Sequence, residues 1–194
     1  MRLSVLDLVP VRTDQTTADA LAATVMLSDN GAANLLLARI DGPAGFTQTM
    51  RGWGDDVTRL DRTEPALNAN DAGDARDTSS PHALTRSIGQ MLYGSRLNAE
   101  NRSRLRRWTA ESPTGSARFR AGLPVGWAAG DKTGTCAALD APNTQVNDIG
   151  WFETPDGTRY LFAVLLDRPT LGDETEAAIA DVALLAVQVI DERR

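Results

Sequence analysis

Gly130-Asp131-Lys132-Thr133-Gly134-Thr135-Cys136-Ala137-Ala138, Val146–Glu153 and Arg159–Leu166 are the three runs on which the fold turns. The second and third are rich in β-branched, aromatic and leucine side chains, the composition of strands packed against a core. Pro155-Asp156-Gly157 between them is a tight turn, so they read as an antiparallel hairpin. A long helix, Asp173–Arg194, closes the chain. Ile179, Val182, Ala186 and Ile190 recur at helical spacing on one face, acids crowd its start, and two arginines end it as the helix dipole prefers.

Working back from these strands, the chain reads as mostly helical. Pro81–Tyr93 and Asn98–Glu111 are expected helices, the first stopped near Gly94. Gly54–Pro81 differs in kind: acids alternate with Arg59, Arg62 and Arg76, with little apolar periodicity. Such a stretch is expected to be a folded loop pinned by its own ion pairs. Before it come a helix from Ala44 to about Gly52, another over Ala32–Arg39, and one over Ala18–Met26 capped by Thr16 or Thr17. Ser28-Asp29-Asn30-Gly31 is expected to be a turn between the last two. Leu3–Val9 reads as a short buried strand stopped by Pro10. Helices, a polar loop, helices, strands and a last helix make an α+β (mixed α/β) architecture: an antiparallel sheet with flanking helices plus a helical part.

Composition removes several chemistries. The 194 residues carry 20 basic and 26 acidic side chains, a net charge of −6, which disfavours a nucleic-acid partner. The basic run Arg102–Arg107 reads as a solvated helix face. Lys132 is the sole lysine, Cys136 the sole cysteine and His82 the sole histidine. No intrachain disulfide can form and no Cys/His set can hold a structural zinc, so no metal is expected. No apolar run reaches membrane-spanning length, and the opening does not read as a signal peptide; the expectation is a cytoplasmic chain with no membrane contact. His82 reads as a capping or solvated residue. Trp53, Trp108, Trp127 and Trp151 read as core or loop anchors.

Three constellations remain: Ser28-Asp29-Asn30, then Arg62-Thr63-Glu64-Pro65-Ala66-Leu67-Asn68, then Lys132-Thr133-Gly134-Thr135. A carboxylate held beside an amide, as Glu64 beside Asn68, can bind and deprotonate one water. Lys132 at a strand edge offers a fixed positive charge to an anion, and Thr133 and Thr135 offer hydroxyls to it. Arg62 and Asp77 are the natural pair to close the base of the loop.

In this order and separation the three sets closely resemble those of the class A serine β-lactamases, over about residues 27–194. The resemblance implies a β-lactam substrate and no cofactor. It makes Glu64, Asn68, Ser28 and Lys132 catalytic, with Glu64 activating the water that cleaves an acyl-enzyme and Ser28 relaying a proton to the departing ring nitrogen. Asn30, Thr133, Gly134, Thr135 and Arg118 become substrate-binding, with the Thr135 N–H as half of an oxyanion hole. Asp29, Arg62 and Asp77 become structural. In carbapenem-hydrolysing members a cysteine at the place of Cys136 bonds to one beside the nucleophile; that partner is absent, and Cys136 reads as a buried free thiol. Intact family members are periplasmic or secreted.

The family's nucleophilic serine lies three residues before an essential lysine, and no Ser-x-x-Lys occurs in the 194 residues. The resemblance therefore implies a fold missing the N-terminal helix, the first two strands and the nucleophile helix. An uncovered N-terminal face open to self-association is expected to follow. Residues 1–26 resemble the opening strand and helix of luciferase-like flavin monooxygenases; Thr16–Met26 equally suits a divergent form of the helix before Ser-Asp-Asn. The expected function is a catalytically crippled β-lactamase. The alternatives are a non-catalytic binder of β-lactams or cell-wall peptides, or a fragment that needs complementation.

Overall fold

The computed structural model describes residues 16–69, 71–136, 144–167 and 172–193. The expected strand Leu3–Val9 lies outside them, as do Ala137 and Ala138. Helix α1, Thr17–Leu27, opens with a reciprocal cap: Thr16 accepts from the Asp19 N–H, and the Asp19 carboxylate accepts from the Thr16 N–H. Ala20 on this helix is fully buried, and α1 packs on α2 and α5. At the far end Ser28 takes a left-handed conformation (φ 55°), and Asp29 caps α2, Asn30–Ala38, by accepting from the Ala32 N–H at 2.8 Å. The cap starts α2 two residues earlier than read, so Gly31 is helical and Ser28 and Asn30 flank a helix–helix joint. Helix α3 is Gly42–Gly52, with Pro43 in its first turn.

A single 3-10 turn, Ala66–Asn68, interrupts the polar stretch before α4, Pro81–Leu92, and α5, Ala99–Glu111. A second 3-10 turn, Phe119–Gly122, leads into the sheet. Strands β1 (Ala128–Cys136), β2 (Gln145–Glu153) and β3 (Arg159–Asp167) form an antiparallel sheet in the order β1-β2-β3. Lys132 pairs with Ile149, and Trp151 with Leu161. Helix α6, Asp173–Asp191, closes the fold, and Arg193 lies beyond its end. No helix among the described residues is long and apolar enough to cross a membrane.

Alternation splits each strand between two cores. One face carries Val146, Phe152 and Phe162 against Phe119 and the α6 residues Ile179 and Ala183; Phe119 stacks on Phe162 at 3.7 Å between ring centroids. The other carries Trp151, Ile149 and Leu161 against Ile88 and Leu92 of α4 and Leu105 of α5. The expected apolar stripe of α6 needs correction: Val182 is 39% exposed, and Ala183 is buried in its place. The cause is close approach. A Cβ on Gly122 would stand 2.0 Å from the Ala180 carbonyl oxygen and 2.9 Å from the Ala183 Cβ, so position 122 takes glycine and the 3-10 turn lies directly against Ala180 and Ala183.

Candidate active site

The α1–α2 joint delivers the first functional group. Left-handed backbone at Ser28 turns its hydroxyl toward β1, where the Lys132 ammonium donates to Ser28 Oγ and to the Thr133 carbonyl. Burial pushes the Lys132 pKa down to about 8; Asp131 resists this, Arg118 adds to it, and Asp148 and Glu64 oppose it. The ammonium is held between a helix joint and a strand with little water around it.

The polar stretch delivers the second. Arg62 Nε meets Asp77 Oδ2 at 2.5 Å, and Asp77 Oδ1 accepts from the N–H groups of Asp61 at 2.6 Å and Arg62 at 3.0 Å. Arg62 also donates to the Ala69 carbonyl at 2.7 Å, so the loop base is tied to its far side. At the loop's start Asp55 accepts from the N–H groups of Val57 and Thr58 and from the Ser87 hydroxyl of α4. Burial alone would raise the Asp55 pKa, but the Thr58, Val57 and Ser87 hydrogen bonds together hold it below the usual carboxylate range.

Inside that frame Asn68 Nδ2 donates to Glu64 Oε2 at 2.7 Å. Asn34, on α2, grips the backbone of Glu64 from the other side, donating to its carbonyl and accepting from its N–H at 3.0 Å each. The Glu64–Pro65 peptide is cis. Burial raises the Glu64 pKa, against the lowering effects of the Asn68 hydrogen bond and of Lys132. A carboxylate so tuned is a stronger base at neutral pH than a solvated one.

Strand β1 delivers the third. The Thr133 hydroxyl donates to Thr114 Oγ1 at 2.9 Å, and Thr135 Oγ1 accepts from Arg118 at 2.7 Å. Arg118 is only 6% exposed; it also donates to the carbonyls of Asn147 and Gly134, at 2.8 and 3.3 Å, and lies 3.4 Å from Glu176. Beneath β1 and β2, Asp131 and Asp148 are fully buried on one sheet face. Arg120 Nε bonds Asp131 Oδ2 at 2.8 Å, and the Phe119 N–H donates to Asp148 Oδ2 at 3.1 Å. Burial raises both carboxyls, and Asp131 helps push Asp148 up to about 7. Charge from this pair reaches Lys132 on the next strand position.

One cavity of about 690 Å³ collects Ser28–Asn30, Glu64, Asn68, Asp77 and Lys132–Thr135. Arg62 and Arg118 stand behind its wall: Arg62 holds the loop and Arg118 reaches the cavity through the Thr135 hydroxyl. Cys136 is buried and free, its thiol donating to the Asn68 carbonyl at 2.7 Å. His82 is exposed in the first turn of α4. Four residues that the sequence reading passed over belong to the same assembly: Asn34, Thr114, Arg120 and Asp148.

The model of the beta-lactamase enzyme family matches residues 4–190. A carbapenem-hydrolyzing beta-lactamase, KPC, of Klebsiella oxytoca is 44% identical over 178 residues, covering 91% of this chain and 59% of that protein. A beta-lactamase of Mycobacterium tuberculosis is 39% identical over 187 residues, with 93% and 59% covered. Among solved structures, an ancestral class A beta-lactamase superposes with a TM-score of 0.84 at 40% identity, over 90% of this chain and 66% of that one. The class A enzyme of the last common ancestor of Gram-negative bacteria gives 0.84 at 40%, over 93% and 67%. The chain thus spans about 59% of the length of the curated relatives it matches.

Proposed function

Because the chain belongs to the beta-lactamase enzyme family, with class A enzymes as its structural neighbours, we propose that its 194 residues form the substrate-anchoring and water-activating part of a β-lactam hydrolase site. The observation that carries this reading is the sharing of one cavity by two pairs: Glu64 with Asn68, and Lys132 with Ser28.

The chemistry follows from those pairs. Lys132, protonated at neutral pH, anchors the carboxylate that penicillins and cephalosporins carry, with the Thr135 hydroxyl beside it. Arg118 fixes the Thr135 oxygen as an acceptor, which frees the threonine proton for the substrate. Ser28 Oγ accepts from Lys132 and is left with its own proton to give to a departing ring nitrogen. Glu64 accepts a proton from a water held between it and Asn68, and that water attacks an acyl-enzyme carbonyl. The backbone N–H of Thr135 is a donor for the oxygen on which charge develops.

Acylation is a different matter. It needs a serine activated by a nearby lysine, and the single lysine of this sequence is committed to Ser28 and the anion site. The 194-residue chain therefore binds β-lactam carboxylates without opening the ring at an appreciable rate. The chain matches 59% of the length of its relatives, which supports a second reading, in which a segment bearing Ser-x-x-Lys outside these 194 residues completes the site. Both readings share the anion site, which calorimetry tests. A penicillin should bind saturably to the folded chain and lose binding in Lys132→Gln; no saturable binding by folded protein would overturn the proposal.

A further inference from the structure

Two buried carboxyl groups take no part in the chemistry proposed for the cavity. Asp131 and Asp148 are fully buried, and strand register makes them diagonal neighbours on one face of the sheet: Asp131 lies opposite Gly150, and Thr133 opposite Asp148. Cβ atoms so placed stand about 7 Å apart or somewhat less, a gap that two carboxyl groups turned toward each other can close. Gly150 adds no side chain to that space. A Cβ there would stand 2.1 Å from the Gly130 carbonyl oxygen and 2.9 Å from the Asp131 Cα.

Hydrogen bonding satisfies one oxygen of each carboxyl. Asp131 Oδ2 accepts from Arg120 Nε at 2.8 Å, and Asp148 Oδ2 accepts from the Phe119 N–H at 3.1 Å. Asp131 Oδ1 and Asp148 Oδ1 are buried and meet no donor among the described residues. The backbone of position 115 lies directly on the first of them: a Cβ on Gly115 would stand 2.3 Å from Asp131 Oδ1 and 1.9 Å from Oδ2. Two buried acceptors without a donor are unfavourable. One proton between them turns one oxygen into a donor and satisfies both.

The surrounding charges favour keeping that proton. Arg118 and Arg120 approach from the turn before β1, and Lys132 from the other face of the sheet. Against these three cations stand the carboxylates of Asp131, of Glu176 on α6, which pairs with Arg118, and of Glu64 in the loop, which acts on Lys132. Strand β3 places Val164 opposite Asp148 and adds no charge. The three cations are balanced without Asp148. Asp131 has a guanidinium and Asp148 only a peptide N–H, so the proton resides on Asp148 Oδ1 and is donated to Asp131 Oδ1.

We propose that Asp131 and Asp148 share one proton between their Oδ1 atoms, and that Asp148 is a positioning residue for the anion site, acting through Lys132: release of the shared proton puts a second negative charge behind β1 and holds Lys132 as the ammonium. Burial, and after it Asp131, push Asp148 up to about 7. Burial brings Lys132 down to about 8, opposed by Asp131 and then by Asp148. The new charge therefore arrives just before the ammonium would lose its proton. The inference rests on the anion site proposed for Lys132, but its readouts need no β-lactam.

Lys132 is the sole lysine, so the 194-residue chain labelled with carbon-13 at lysine Cε gives a single NMR signal that reports its charge. The wild-type midpoint should lie near 8, and Asp148→Asn should lower it by about half a unit or more, because the charge that supports the ammonium is gone. Carbon-13 at aspartate Cγ follows the pair itself in the wild type: two signals should move together near pH 7, and Asp148→Asn should abolish that movement. No aspartate signal titrating between about pH 6 and pH 8 in the wild type overturns the shared proton. A Lys132 midpoint unchanged in folded Asp148→Asn overturns its action on the anion site. If penicillin fails to bind while both titrations run as described, the pair and its hold on Lys132 stand, and the β-lactam reading alone falls.

Discussion

Asn34 holds Glu64 by both of its backbone polar groups: Nδ2 donates to the Glu64 carbonyl and Oδ1 accepts from the Glu64 N–H, at 3.0 Å each. A side-chain amide with one donor and one acceptor facing a peptide unit fixes the position and the orientation of the residue it grips. The carboxylate is then aimed by the backbone, and Asn68 has only to hold one oxygen. The Glu64–Asn68 pair thus depends on α2 for its placement.

Asn34→Ala removes both bonds and leaves a half-buried N–H and C=O to find water. The expected loss is about 1–3 kcal/mol of stability, read from urea unfolding. Amide hydrogen exchange should accelerate over residues 61–69 and not in α6, since the damage is local to the loop.

Ligand binding should follow the protonation of Lys132. With its pKa at about 8, the ammonium is nearly complete at pH 7 and largely lost at pH 9.5. Affinity for a penicillin carboxylate should fall roughly tenfold or more between those values by calorimetry, and Lys132→Gln should show weak binding with no such pH dependence.

The buried acids make stability, too, depend on pH. Asp148, near 7 in the folded chain and near 3.8 unfolded, holds a proton in the folded state over a range where the unfolded state has released it. Its favourable contribution is complete below about pH 4 and is lost as pH rises through about 7, at most about 4 kcal/mol. Asp148→Asn keeps an acceptor for the Phe119 N–H and removes the titration. From pH 5 to pH 8 its stability should therefore gain on that of the wild type, measured by urea midpoints.

Arg120 ties three elements: it bonds Asp131 of β1 and donates to the carbonyls of Ala110 and Ser112 at the end of α5, at 3.1 and 2.6 Å. Arg120→Met strands a fully buried carboxylate and should cost about 3–5 kcal/mol. Adding Asp131→Asn should recover part of that loss, a coupling that a double-mutant cycle in thermal unfolding measures.

The parts of this site that could be read in the sequence are those written in short local strings. Ser28-Asp29-Asn30, Glu64 with Asn68 four residues on, and Lys132–Thr135 each sit within one turn or one strand, and one cavity collects all three. Asn34 escaped because its partner is a peptide unit 30 residues away, and nothing in an asparagine on a helix specifies that. Asp148 became relevant only through strand register, which puts it on the same sheet face as Asp131. The resemblance makes Arg118 an arginine that assists carboxylate binding, and the structure adds its contact, a hydrogen bond to the Thr135 hydroxyl from behind β1 that no local string specifies. Helical spacing put Val182 on the core face with Ile179, Ala186 and Ile190, whereas the close approach of Gly122 to α6 brings Ala183 inward instead.

Intact-protein mass spectrometry after exposure to a β-lactam is the most direct test of the central claim, that an anion site and a water-activating pair are present here without an acylating serine. The wild-type chain, incubated with millimolar penicillin at pH 7, should keep its unmodified mass, and Glu64→Ala should do the same. A covalent adduct of the penicillin's mass that accumulates in Glu64→Ala but turns over in the wild type would contradict the account, because it would mean that these 194 residues acylate and deacylate unaided.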